Sequence, residues 1–143
     1  MKYTKATNYA LHTMVYLAAA PVEKAVGVRT MAELQGLSPT FLSKILTKLV
    51  KAGLIESSPG VNGGYKLSRS KEDISFLDII NAIEGSGSLF MCSLEHQDCL
   101  IQGVMVDAEQ AMEKYLMGRT IAELADQLNR QASIRKEALK NDF

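Results

Sequence analysis

The sequence has no tryptophan, and its 143 residues include only two cysteines, two histidines and three prolines. Two histidines in unrelated regions, His12 and His96, make a poor acid–base set, and no GxSxG, P-loop or HExxH pattern occurs. No convincing carboxylate pair stands in for them, so the chain does not read as an enzyme. No apolar run nears the ~18 residues that a membrane span needs. Polar residues interrupt MKYTKATNYALH, which therefore does not read as a secretory signal. With so few cysteines and no export signal, the expected setting is the reducing cytoplasm, without a membrane partner and without a structural disulfide.

What is present is an ordinary globular composition, 47% apolar, in a chain long enough to bury one core. The net charge of zero hides an asymmetry. Residues 1–72 hold ten Lys/Arg against four Glu, whereas residues 73–143 hold six Lys/Arg against twelve Asp/Glu. A basic half can meet a polyanion while an acidic half keeps the rest of the molecule off it.

Apolar residues at helical spacing, Leu11, Met14, Val15 and Ala18, predict a first helix in TNYALHTMVYLAAA, with His12 at its edge. Pro21 and Gly27 mark a loop. RTMAELQG predicts a short second helix with Thr30 and Glu33 as a capping box. After the turn at Gly36-Leu37, Ser38 as N-cap and Pro39 in the first turn open a third helix, which Gly53 ends. Two helices joined by so short a turn have helix-turn-helix spacing. In the third, Leu42, Ile45, Leu46 and Leu49 form the expected buried stripe. The opposite face carries Thr40, Ser43, Lys44, Thr47, Lys48 and Lys51, hydroxyls and lysines with no acid. A solvated face usually mixes both signs; this set is the one that contacts phosphates.

LIESS and YKLSR bracket PGVNGG, the pattern of a β-hairpin with a glycine-rich tip. Gly60, Gly63 and Gly64 are expected to supply positive φ and to let the backbone approach a partner closely. A hairpin directly after a helix-turn-helix is a wing, and Asn62, Gly63, Gly64, Tyr65, Lys66 and Arg69 are its expected contacts to sugar-phosphate or minor groove. ISFLDIINAIEG then predicts a helix boxed by Ser75 and Asp78 and stopped at Gly85. After a loop comes a longer helix, with Ile101, Val104, Met105, Ala108, Ala111, Met112 and Tyr115 spaced near 3.5 residues, a seam suited to helix-on-helix packing. Thr120 and Glu123 open a short last helix, IAELADQL, followed by a tail expected to fray. The fold class is mainly α with a small β-hairpin (α+β). Its expected parts are a winged helix-turn-helix domain over 1–84, a loop with two cysteines over 85–100, and a dimerisation helix plus C-terminal helix over 101–143.

NYAL, LSPTFLSKIL, AGLIESSPGVNGGYKLSR and DISFLDIINAIEG, in this order, resemble the Rrf-type winged-helix transcription regulators (the IscR, NsrR and CymR kind), from about Tyr9 to Leu124. The resemblance implies a homodimer on a pseudo-palindromic double-stranded DNA operator, with the third helix in the major groove and the wing alongside. Ser38, Thr40, Ser43, Lys44, Thr47 and Lys48 would then face bases or phosphates. The long helix would cross to the partner, making Ile101, Val104, Met105, Ala108, Met112 and Tyr115 the expected dimer interface. The regulator would be a repressor. The sequence departs from the family at Ser58-Pro59-Gly60, where the family often carries Arg-Gly. A winged helix used only as a protein-interaction module is the alternative reading.

Many members of that family hold an iron–sulfur cluster through three cysteines in the loop occupied here by MCSLEHQDC. Cys92 matches the first position and Cys99 roughly the second, but LIQGVMVDAE contains no third. His96, Asp98 and Asp107 lie near, and Asn8 on a partner's first helix is a poor iron donor. Three readings stand side by side: a cluster with an unidentified third ligand, a thiol switch oxidised at Cys92 and Cys99, or packed thiols with no role. A structural zinc site wants four ligands, and Cys92, His96 and Cys99 offer three.

Overall fold

A computed structural model describes residues 3–89 and 99–141, and within them lie six α-helices, one short 3-10 turn (Lys71–Asp73) and one two-stranded sheet. The helices are α1 (Lys5–Ala19), α2 (Val28–Gln35), α3 (Pro39–Lys51), α4 (Phe76–Glu84), α5 (Leu100–Met117) and α6 (Ile121–Asn141). Between α3 and α4 stand β1 (Ile55–Ser58) and β2 (Gly64–Leu67), paired antiparallel from Ile55↔Leu67 to Ser58↔Gly64. Apolar residues from almost every element meet in one core: Ala10 and Met14 of α1, Met31 of α2, and Leu42, Ile45, Leu46 and Leu49 of α3. Leu54, Ile55, Ile74 and Ile79 complete it, together with Ile121 and Ala125 of α6. Each buried Leu, Ile or Met among them contributes about 1.5–3 kcal/mol by leaving water. Ile121 and Ala125 place the start of α6 in the same core as α1.

Two helix ends differ from expectation. The second helix starts at Val28 with Gly27 as N-cap and no side-chain cap, so Thr30 and Glu33 do not form its capping box. The reason is non-local. Val26 exchanges both backbone hydrogen bonds with Tyr65 of the hairpin (2.9 Å each), so the chain turns into the helix directly after that bridge. The last helix runs 21 residues instead of ending after IAELADQL. Its start is pinned to the start of α4, with Phe76 donating to the Arg119 carbonyl (2.9 Å) and Ile121 to the Ile74 carbonyl (3.1 Å). The Ser75–Asp78 box of α4 is formed reciprocally, at 3.0 and 3.1 Å.

The far end of α4 also ties elements together. Glu84 accepts from the Thr4 N–H (3.2 Å), from the Thr4 hydroxyl and from the buried Thr7 hydroxyl (2.7 Å), joining α4 to the N-terminus of α1. Burial alone pushes this carboxyl up. The hydrogen bonds from Thr4 and Thr7, with the Lys48 ammonium nearby, outweigh it and hold the group below its usual range. A carboxyl held low in the folded state stabilises the fold above its unfolded value, and the contribution is lost as pH falls through the folded value. Glu84→Gln is therefore expected to lower the melting temperature by about three degrees at neutral pH. The gap to wild type should close as the pH drops below about 4; a gap of constant size would show that the charge is not what matters.

Candidate nucleic-acid interface

Helix α3 is built to present one face. Its buried stripe anchors it, and Ser38 caps it, the hydroxyl oxygen accepting from the Phe41 N–H at 3.2 Å. That leaves the Ser38 proton available to donate, as a phosphate oxygen requires. Thr47 is set the opposite way: its hydroxyl donates to the Ser43 carbonyl at 2.9 Å, so its oxygen can only accept. In a major groove the acceptor-only Thr47 suits a base amino group, on adenine N6 or cytosine N4, rather than phosphate.

Thr40, Lys44, Lys48 and Lys51 are exposed and Ser43 is half-buried. None of the three lysines forms an ion pair among the described residues. Phe41, which the residue pattern had not singled out, stands 40% exposed on the same helix. Its ring meets Tyr9 of α1 edge-on at 5.9 Å, which fixes the opening turn of α3 against α1. An exposed aromatic edge beside Thr40 also offers apolar contact to a thymine methyl.

The wing holds its candidate residues less uniformly. Lys66 is committed inside the molecule, its ammonium 3.3 Å from Glu23 and 3.4 Å from the cross-strand Glu56. The hydrogen bond and charge of Glu23, then of Glu56, raise its pKa. Tyr65 packs against the core, so neither side chain is held out toward a partner. Arg69 stands 4.0 Å from Asp78 at the base of the wing. Asn62 is exposed at the tip. The two adjacent glycines serve the chain's own backbone. A Cβ on Gly63 would lie 2.1 Å from the Ser58 carbonyl oxygen, and one on Gly64 2.5 Å from the Val26 carbonyl oxygen. Gly64 has φ 144, whereas Gly63, contrary to expectation, does not adopt positive φ.

On α5 the one buried side chain among the described residues is Glu109, whose two carboxylate oxygens accept the Leu89 N–H at 3.0 Å. An acid in an apolar seam reads as solvated in sequence, and nothing in the pattern flagged it. The expected interface residues are left uncovered: Ile101 is 67% exposed, Val104 68%, Met105 36%, Met112 41% and Tyr115 63%, with Ala108 also exposed. The Arg119 guanidinium lies 5.7 Å over the Tyr115 ring.

Cys99 caps α5, its sulfur accepting from the Gln102 N–H at 3.4 Å. Cys92, His96 and Asp98 fall outside the described residues. Among the described residues no three His, Cys, Asp or Glu side chains gather as a metal site. The two cysteines of the whole chain are one thiolate short of the three-cysteine set that the resemblance implies for a cluster. No helix among the described residues is long and apolar enough to cross a membrane.

A family model described as "Rrf2: Iron-dependent Transcriptional regulator" matches residues 3–127. The HTH-type transcriptional regulator NsrR of Shouchella clausii (strain KSM-K16) is 30% identical over 131 residues, covering 87% of this chain and 88% of that protein. Protein rrf2 of Nitratidesulfovibrio vulgaris is 32% identical over 130 residues, covering 87% of each. Among solved structures, CymR, the global cysteine regulator of B. subtilis, superposes with a TM-score of 0.80 at 28% identity, covering 89% of this chain and 98% of that one. T. potens IscR superposes at 0.76 and 30% identity, covering 90% and 88%.

Proposed function

Because the chain belongs to the Rrf2 family of transcriptional regulators, we propose that it works in the cytoplasm as a homodimeric repressor of a pseudo-palindromic DNA operator. It is a regulator of transcription with a winged-helix fold and not an enzyme. The observation that carries the reading is the acid-free face of α3, where Lys44, Lys48 and Lys51 stand exposed beside the hydroxyls of Ser38, Thr40 and Thr47. In this reading α3 lies in the major groove. Ser38 and Thr40 donate to phosphate at the N-terminal end of the helix, where the backbone dipole also favours an anion. Ser43 and Thr47 approach base edges, and Lys44 and Lys48 take phosphate or guanine. Asn62, Gly63, Gly64 and Arg69 bring the wing alongside, while Tyr65 and Lys66 brace it from within. A second copy covers the apolar face of α5, which sets two α3 helices about one DNA turn, or a multiple, apart.

The test is binding of the full chain to a randomised duplex library and to the sequences enriched from it, across potassium chloride concentrations. A dimer neutralising about six phosphates is expected to lose roughly a thousandfold in affinity between 50 and 200 mM salt. Lys44→Ala and Lys48→Ala each take one ammonium per subunit away from the DNA. Each should flatten the logarithmic salt slope by about 0.9 for every phosphate left without its cation. A salt-independent affinity, or none, would instead favour the protein-interaction module.

A further inference from the structure

A cavity of about 310 Å³ opens between α1, the start of α4 and α6. Leu11 and Val15 of α1, Phe76 of α4, and Leu124 and Leu128 of α6 give it an apolar floor. No residue of α3, of the wing or of α5 lines it. It therefore belongs neither to the DNA face nor to the seam proposed for the second copy. Its size lies at the lower end of small-ligand pockets, with room for one or two rings.

Two polar side chains of α1, Asn8 and His12, line the same cavity, and their hydrogen bonds fix what each can offer. The His12 Nδ1 lies 2.8 Å from the Asn8 backbone carbonyl, which can only accept, so Nδ1 carries the proton. In the neutral ring Nε2 is then a bare acceptor. The Asn8 amide oxygen accepts from the Tyr3 hydroxyl at 3.1 Å, which leaves the NH2 group as the part able to donate. The two residues are four positions apart and so share one side of the helix. An acceptor and a donor thus stand together beside an apolar floor.

A hydroxyl satisfies both at once, donating to Nε2 and accepting from the amide. A carboxylate brings no proton for Nε2, and no Lys or Arg lines the cavity to neutralise it; no Asp or Glu lines it to hold a cation. Phe76 and Tyr16, whose ring stands 6.4 Å from that of His12, favour a flat ring over an aliphatic chain. We propose that the cavity is the effector site of this regulator and takes a small uncharged phenol of one or two rings. The inference rests on the DNA-binding reading above and supplies the class of signal. Occupancy reaches the DNA face through α1, because Tyr9, next to Asn8, meets Phe41 of α3 edge-on at 5.9 Å. A phenol that prefers one setting of α1 changes DNA affinity by the ratio of its affinities for the two settings.

Calorimetric titration of the full chain with 2-naphthol, naphthalene and 2-naphthoate, in the absence of DNA, tests the site. 2-Naphthol is expected to bind with a Kd of about 100 μM. Naphthalene lacks the hydroxyl and 2-naphthoate carries a charge, so each should bind about tenfold more weakly or worse. His12→Phe keeps a ring but no acceptor, while Asn8→Ala keeps the carbonyl that orients His12 but no amide. Each should weaken 2-naphthol about fivefold to tenfold and leave naphthalene unchanged, with melting curves verifying that both variants fold. Equal affinity for the three probes, or no loss in either variant, would overturn the site. Saturating 2-naphthol should then shift the affinity for the library-enriched duplex about threefold or more. An unchanged affinity would overturn the effector role. If the chain enriches no duplex, it is the DNA-binding reading that fails, and the titration still decides the site.

Discussion

Met105→Glu is expected to turn the protein into a monomer and to lower its affinity for a two-half-site duplex about a hundredfold or more. Helix α5 runs 18 residues, about 27 Å, and the side chain it buries within its own chain is that of Glu109. Among the exposed large apolar residues of α5, Met105 and Met112 are the least exposed, at 36% and 41%, and so stand nearest the centre of the face that a second copy would cover. A carboxylate there would be stripped of water opposite its own symmetry mate. Losing the proposed dimer would make the two half-site encounters independent, and the gain from linking two modules is commonly a hundredfold to ten-thousandfold. Sedimentation velocity and a two-half-site binding titration read both effects. A Met105→Glu or Met112→Glu protein that sediments as a dimer would remove α5 from the interface.

Gly64→Ala should cost the fold about 3 kcal/mol, through backbone strain and a clash that the wing cannot relieve. Its φ of 144 is closed to residues with a side chain, and the added carbon would sit 2.5 Å from the Val26 carbonyl oxygen and 2.9 Å from the Gly27 amide nitrogen. Both obstacles are backbone, so no side chain can swing aside. Relief requires breaking the paired Val26–Tyr65 hydrogen bonds, which frees the start of α2 as well as the hairpin. For a chain of this length the loss corresponds to a fall in melting temperature of about ten degrees. Operator affinity should fall with it, since wing and helix-turn-helix lose their common anchor. A melting temperature within about two degrees of wild type would mean that the strands re-register at little cost.

Features that depend on residues close in the chain were legible beforehand. The Ser38 cap, the four-residue stripe of α3, the Ser75–Asp78 box and the hairpin around PGVNGG each follow from spacing and turn chemistry within about a dozen residues. What the sequence concealed depends on residues far apart in the chain. Of the two carboxylates that hold Lys66, the cross-strand Glu56 follows from the hairpin register, but Glu23 lies 43 positions away. The bonds from Thr4 and Thr7 to Glu84 span 80 and 77 positions, and no periodicity announces them. The Thr30–Glu33 pattern was chemically sound but lost to a backbone bridge that only the tertiary fold creates. The length of α6 was hidden for a related reason. Its first turns are fixed by α4 and α1, and a helix once nucleated propagates cheaply through residues such as those of RKEALK.

The bridge between Val26 and Tyr65 bears on how this module could be re-engineered. A two-stranded hairpin is marginal by itself, and this one borrows a third length of backbone from the loop before α2 and an electrostatic strut from Glu23. Transplanting residues 55–67 into another scaffold would carry the tip without its foundation. A chimera meant to exchange DNA preference between such proteins should therefore take 23–28 and 55–67 as one cassette. The recombination junctions belong at the ends of α1 and α3, not at the strands.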